Sequence, residues 1–162
     1  MPYLLLLPSL ICMLALSIED IRSRRIPRLW VFSGAMVQLI VFVCWSLINA
    51  DGRRLALCLV LALLSAAVQF LMAVIRPGML GFGDVTCTAA TGLAVGWLGL
   101  LPVLMWWCFM GILGLTAIGV AVLRMRYNTP GTTRETQIPF APVIASAAVL
   151  SCVIDAMSLL AV

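Results

Sequence analysis

Long apolar runs, interrupted by charges, prolines or glycines, account for most of this chain. Read as helices, the runs fall at about 3–20, 29–49, 54–75, 84–99, 102–124 and 138–160. Most approach the ~20 apolar residues that a helix needs to cross a bilayer. The fourth and fifth come from one stretch of about 39 residues, Val85 to Leu123. At ~1.5 Å per residue that stretch is too long for a single crossing of ~30 Å. A tight turn is therefore expected at Gly99 and Pro102, with proline tolerated in the first turn of the following helix. The fourth helix is short and is expected to begin partly buried in protein. The first run ends in Glu19-Asp20, with no basic segment before it and no small-residue cleavage site after it. It reads as a retained helix and not as a signal peptide. The pattern predicts an all-α polytopic membrane bundle of about six helices, forming a single integral-membrane domain over residues 1–162.

Composition strengthens this reading. The chain is 64% hydrophobic and 10% charged, against roughly 45–50% and 25% in soluble domains. All ten basic residues are arginine. With the N-terminus outside, Arg22, Arg24, Arg25, Arg28, Arg76, Arg124, Arg126 and Arg134 fall in cytoplasmic connections. Only Arg53 and Arg54 lie outside, a clear positive-inside bias. The net charge of +4 is thus a topology signal, and no nucleic-acid partner is expected. The sequence has no histidine, which removes the commonest general base and metal ligand. The six cysteines lie in apolar runs without C-x-x-C spacing, which suits small buried hydrophobes better than a zinc site or disulfides. No metal or other cofactor is expected. Gly92, Gly96, Gly99, Gly111 and Gly114 read as residues that let helices approach closely. Trp97, Trp106 and Trp107 read as outer-interface and lipid-facing aromatics.

The acids carry the chemical signal. Gly81-Phe82-Gly83-Asp84 puts a carboxylate at the start of the fourth helix, where an acid at the membrane edge is costly. Its glycines would permit positive φ angles and the close approach of another backbone. Asp20 ends the first helix at the same membrane level, with Glu19 beside it. Asp51, Glu135 and Asp155 fall elsewhere. Two carboxylates in one site suit amide hydrolysis without a metal: repulsion keeps one protonated while the other takes a proton from water. From the residues alone, helix capping or pairing with arginine remains open for both acids. A simple proline-driven helix start likewise remains open for Pro139-Phe140-Ala141-Pro142.

Three separated elements carry a resemblance to a known family. Asp20 followed by Ile26-Pro27 resembles a D-x5-I-P segment. Gly81-Phe82-Gly83-Asp84-Val85 resembles G-x-G-D-V, and Pro139-Phe140-Ala141-Pro142 resembles a P-F-G-P element. Together they resemble the type IV prepilin peptidases, which are G-x-G-D intramembrane aspartyl proteases. The chain departs from that pattern at Thr86, where lysine is common, at Arg28, often asparagine, and at Ala141, usually glycine. It also lacks the C-x-x-C insertion between the first two helices that larger members associate with N-methylation.

The resemblance implies an aspartic endopeptidase of the prokaryotic cytoplasmic membrane, without methyltransferase activity. Asp20 and Asp84 would be catalytic, and Gly81, Phe82, Gly83, Ile26, Pro27, Pro139, Phe140 and Pro142 would shape the site. The implied substrate is a pilin-like precursor with a basic leader and an apolar helix, cut at the cytoplasmic face within the lipid bilayer. Arg22, Arg24, Arg25 and Arg28 would repel such a leader and read as orientation anchors. Two other readings are an ion- or proton-coupled transporter using Asp20, Asp84 and Asp155, and a catalytically silent pilin-binding scaffold.

Overall fold

Proline shapes the first crossing. In the computed structural model, which describes residues 2–23, 28–75, 81–127 and 140–160, a 3-10 segment over Pro2–Leu6 leads into α1, Leu7–Ser23. Pro8 has no N–H and crowds the preceding turn, so backbone groups near it need other partners. Gln38 of α2, Arg28–Asn49, supplies them. Its Oε1 accepts the Ser9 N–H at 3.0 Å, and its Nε2 donates to the Leu5 carbonyl at 2.7 Å. Gln38 is fully buried. Its amide does inside the bundle what water does at the surface of a soluble protein.

The remaining helices are α3, Gly52–Ile75, α4, Phe82–Gly96, α5, Leu100–Tyr127, and α6, Ala141–Leu160. Among the described residues there is no strand, and the all-α bundle is as the hydropathy pattern predicts. Five helices are long and apolar enough to cross a membrane. The exception is α4, whose 15 residues span about 22 Å at ~1.5 Å each. Neighbouring helices enclose it: every residue from Ala90 to Trp97 is buried. A helix wrapped in protein has no need to match the bilayer thickness.

Small side chains allow that enclosure. A Cβ on Gly92 would lie 3.3 Å from the Ala62 Cα, and one on Gly96 would lie 3.1 Å from the Cys58 carbonyl oxygen. The α3 and α4 backbones are therefore nearly in contact, and the Cys58 thiol donates to the Leu93 carbonyl at 3.0 Å. Gly114 meets the Phe140 ring, whereas Gly99 and Gly111 have open space beside them. Gly99 instead makes the turn between α4 and α5 with φ +118°, a conformation that favours glycine. Pro102 lies in the first turn of α5, as expected.

The bundle is apolar on the outside and mixed within. Leu29, Leu47, Ile48 and Leu160 are among many large exposed side chains, while Ser9, Ser65, Gln69, Thr91 and Ser151 are buried. Lipid solvates leucine as well as a protein core does, so packing and interhelical hydrogen bonds hold the helices together. Two expectations from the sequence are corrected on these grounds. Trp97 and Trp106 are interior residues, not lipid-facing ones, at 1% and 0% exposure. The Trp106 indole N–H donates to the Ile144 carbonyl at 3.2 Å, and the Trp107 N–H donates to Ser65 Oγ at 3.2 Å. A buried indole N–H needs such a partner; the interior supplies one to Trp106 and Trp107, whereas among the described residues Trp97 Nε1 has none. Among the cysteines, Cys58, Cys87 and Cys152 are buried, but Cys44 and Cys108 are exposed and Cys12 is half-buried. A thiol in contact with lipid loses little, so an apolar run does not reveal which way its cysteines face.

Candidate active site

Chain direction puts the ends of α1, α3 and α5 and the starts of α2, α4 and α6 at one end of the bundle. Asp20 lies in the last turn of α1 and Asp84 in the first turn of α4. The two helices pack against one another, so the two carboxyls share this end of the bundle. The structure thus brings acids from two separated stretches of the chain to contacting helices at one end.

Asp84 is held locally. The Gly81 N–H donates to its Oδ2 at 3.1 Å, and the Asp84 N–H donates to the Gly81 carbonyl at 3.0 Å. An acid in this position reaches back to cap its own helix and sits favourably at the positive end of the helix dipole. Gly81 has φ −80° and ψ 151°, extended backbone open to any residue. The expected need for positive φ at the two glycines is thus not met: Gly81 is extended and Gly83 lies within α4, so neither needs that freedom.

Asp20 is held across the fold. It is 6% exposed, and its Oδ2 accepts the Ala141 N–H at 3.2 Å. Ala141 opens α6, so Asp20 acts as the N-cap of a helix from which it is separated by most of the chain. The first N–H groups of α6 are all accounted for. Ala141 donates to Asp20, Pro142 has no N–H, and Val143 and Ile144 both donate to the Phe140 carbonyl at 3.0 and 3.2 Å. Proline there costs nothing, because that N–H would lack an intrahelical partner anyway. The C-terminal end of a helix repels an anion, so the start of α6 offsets what the end of α1 imposes on Asp20. One turn earlier, the Ser17 hydroxyl donates to the Met13 carbonyl at 2.7 Å and lies 3.4 Å from the Ala141 carbonyl oxygen.

Each carboxyl thus has one oxygen on a backbone N–H. Among the described residues, Oδ1 of each has no hydrogen-bond partner and neither acid is paired with an arginine. Among the described residues, no group of three or more cysteines and acids is placed to hold a metal ion.

The other expected site residues divide. Phe140 is half-buried, with its ring against Gly114 of α5, and Pro142 follows in the first turn of α6. The Phe82 ring is 64% exposed and packs edge-to-face on Phe70 of α3, with centroids 6.0 Å apart. Thr86 is exposed and donates to the Gly83 carbonyl at 2.8 Å, so its hydroxyl is occupied within its own helix. Glu19 is half-buried, with no hydrogen bond to its carboxylate among the described residues. Ile26, Pro27 and Pro139, and the turn expected at residues 128–131, lie outside the described residues.

Nothing in the sequence marks the Ala141 N–H as a partner of Asp20. The only available signal was the proline after Ala141, which marks a helix start without saying what caps it. Asp155, the third acid of the transporter reading, lies at the opposite end of the bundle, where the Tyr3 hydroxyl donates to its Oδ2 at 2.9 Å. It does not join the other two.

Of the comparisons with known proteins, one identifies a family. No curated protein and no solved structure matches the chain. The model of the type IV leader peptidase family matches residues 7–116, from the start of α1 well into α5. That span holds both aspartates and stops short of α6. A match over more than half of the chain, with a multi-helix membrane architecture to accompany it, means that this protein belongs to the type IV leader peptidase family.

Proposed function

We propose that this protein is an aspartic endopeptidase that removes the basic leader from type IV pilin-like precursors at the cytoplasmic face of a prokaryotic inner membrane. The observation that carries the reading is that Asp20 and Asp84 lie at one end of the bundle on the contacting helices α1 and α4, each with one oxygen held by a backbone N–H. The family match supports it.

The chemistry needs one proton on the pair. The ionised carboxylate takes a proton from water as the water oxygen attacks the scissile carbonyl carbon, and the protonated carboxyl gives its proton to the carbonyl oxygen. A tetrahedral diol results. On collapse the C–N bond breaks, the departing nitrogen takes the proton gained from water, and the other acid recovers one from the diol. The pair returns to its starting state. Because the two groups titrate together, neither is assigned a fixed role.

A precursor suits this site for physical reasons. Its apolar helix is solvated by lipid and its leader by water, so the peptide bond between them lies at the membrane level of the two carboxyls. The short connection between α1 and α2 supports peptidase activity without the N-methylation that larger relatives are expected to perform.

The test is leader removal from a co-expressed precursor by wild type, Asp20→Asn and Asp84→Asn. Asparagine accepts a capping hydrogen bond nearly as well as aspartate, so both variants keep their backbone anchors and lose only the acid. Each should abolish processing while the protein still inserts. Normal processing by either variant overturns the mechanism.

A further inference from the structure

We propose that Gly114, on α5, is a positioning residue for Asp20, acting through the Phe140 ring and the Ala141 N–H. The inference rests on the two-aspartate reading above. Gly114 is buried, and a Cβ built on it would lie 3.3 Å from Phe140 Cε2 and 3.7 Å from Cζ. The ring therefore occupies the space that any side chain at position 114 would take. Phe140 is the last residue before α6, and its carbonyl accepts the Val143 and Ile144 N–H groups. The next peptide carries the N–H that holds Asp20. Ring, carbonyl and N–H belong to adjacent residues at the start of one helix, so where the ring rests determines where the N–H points.

The device has little slack. Ala141 is fully buried, and Asp20 and Ser17 of α1 flank its backbone N–H and carbonyl. A displacement of the ring passes to the N–H with no loop between to absorb it. Asp84 is insulated, since its anchor lies three residues away on its own segment. Enlarging residue 114 should thus misplace one carboxyl and leave the other where it was. A side chain at position 114 would press on the ring, which gives Gly114 a function that helix packing alone does not require.

The experiment compares Gly114→Ala, Gly114→Leu, Phe140→Leu and Gly114→Ala/Phe140→Leu in the full chain, with Asp20→Asn in parallel. It reads steady-state cleavage of a precursor peptide and amide hydrogen exchange resolved around residue 141. Misplacement of a reacting group by about 1 Å costs on the order of a hundredfold in rate. Gly114→Ala, which asks for a few tenths of an ångström, should lower kcat several-fold, and Gly114→Leu should approach that hundredfold loss. KM should stay within about twofold, since uniform substrate binding is not removed. Protection should be lost at the Ala141 amide while the rest of α4 and α6 stays protected, which a globally loosened fold would not produce. Shortening the ring should restore both kcat and protection in the double variant, a coupling that independent defects do not show.

If Asp20→Asn is inactive but the Gly114 variants keep wild-type kcat and Ala141 protection, the positioning role falls and the two-aspartate reading stands. If Asp20→Asn is active, the mechanism falls. The exchange pattern then still decides whether Gly114 sets the Ala141 contact. Unaltered protection in Gly114→Leu, or a double variant no better than its parents, overturns the proposal.

Discussion

The start of α4 and the junction of α1 with α6 solve one problem in two ways. At α4, Asp84 and its donor Gly81 are three residues apart, and the bond forms as part of the helix that carries it. At the junction, Asp20 and its donor Ala141 are 121 residues apart, and the bond exists only once α1 and α6 have packed. The donors are equivalent, a backbone N–H at a helix start, yet one contact is a local property and the other depends on assembly. Damage elsewhere in the bundle should therefore reach Asp20 before it reaches Asp84. On the proposed mechanism, which needs both carboxyls, hydrolysis should be limited by the one held at longer range.

The largest effect expected is also the one to which the comparison is indifferent. Asp20→Asn and Asp84→Asn should each reduce kcat on the order of a thousandfold, within the range that general acid–base groups contribute. The two losses should be similar in size, because on the proposed mechanism each variant removes one member of a pair that shares a proton. Residual activities differing by more than about tenfold (roughly 1.4 kcal/mol) would mean that the carboxyls are not equal partners. Single-turnover cleavage of a saturating precursor gives both values.

A second test moves to the opposite end of the bundle, where neither carboxyl has an anchor. There the Trp97 ring stacks on Phe42 with centroids 4.2 Å apart, and the Arg54 guanidinium lies 5.2 Å from the indole centroid. Arg54 Nε also donates to the Trp97 carbonyl at 3.0 Å, and Asp51 Oδ1 accepts the Arg54 N–H at 3.2 Å. Trp97→Ala should cost about 3–5 kcal/mol of stability, as large aromatic truncations do. It should leave kcat per folded molecule unchanged. Thermal unfolding in detergent beside an activity titration separates the two. A loss of kcat in the folded fraction would show that assembly at one end controls chemistry at the other.

What the sequence revealed follows the same division between local and long-range. The helices, the turn at Gly99 and the placement of Asp20 and Asp84 at one end of the bundle were legible because they follow from hydropathy and chain direction. The anchor on Asp84 was nearly legible, since a carboxylate at the third position of a helix commonly bonds back to the residue before that helix. Ala141 was not legible as the partner of Asp20, because hydropathy assigns both to helix ends without saying which ends touch. The interior placement of Trp97 and Trp106 was missed for a related reason. In a membrane chain both faces of a helix are apolar, so periodicity no longer marks the buried one.

The local anchor can be cut cleanly. Gly81 has φ −80°, close to the −65 ± 15° that proline imposes. Gly81→Pro therefore removes the donor to Asp84 without a new backbone conformation at that residue. A hydrogen bond to a charged group is worth ~1.5–3 kcal/mol, so kcat should fall at least tenfold. Amide exchange at Ala141 should not change, because nothing in the α1–α6 contact involves Gly81. A simultaneous loss of protection at Ala141 would mean that the two anchors are coupled.

The smallest expected effect concerns the acid that joins neither anchor. Tyr3→Phe deletes the hydroxyl that donates to Asp155 at 2.9 Å, a part-buried contact between the two chain ends. The net cost should stay under about 1 kcal/mol, in the lower range for single hydrogen bonds. Precursor cleavage should be unaffected, since neither residue lies at the end of the bundle where Asp20 meets Ala141. A transporter that used Asp155 as a relay would behave differently, because the relay group would lose its hydrogen-bond partner. If Tyr3→Phe altered a pH-dependent flux in liposomes, Asp155 would gain a function beyond tying the two termini together. If the only change is a slightly lower unfolding temperature, that end of the bundle is structural, and the chemistry belongs to the end where the two anchors differ.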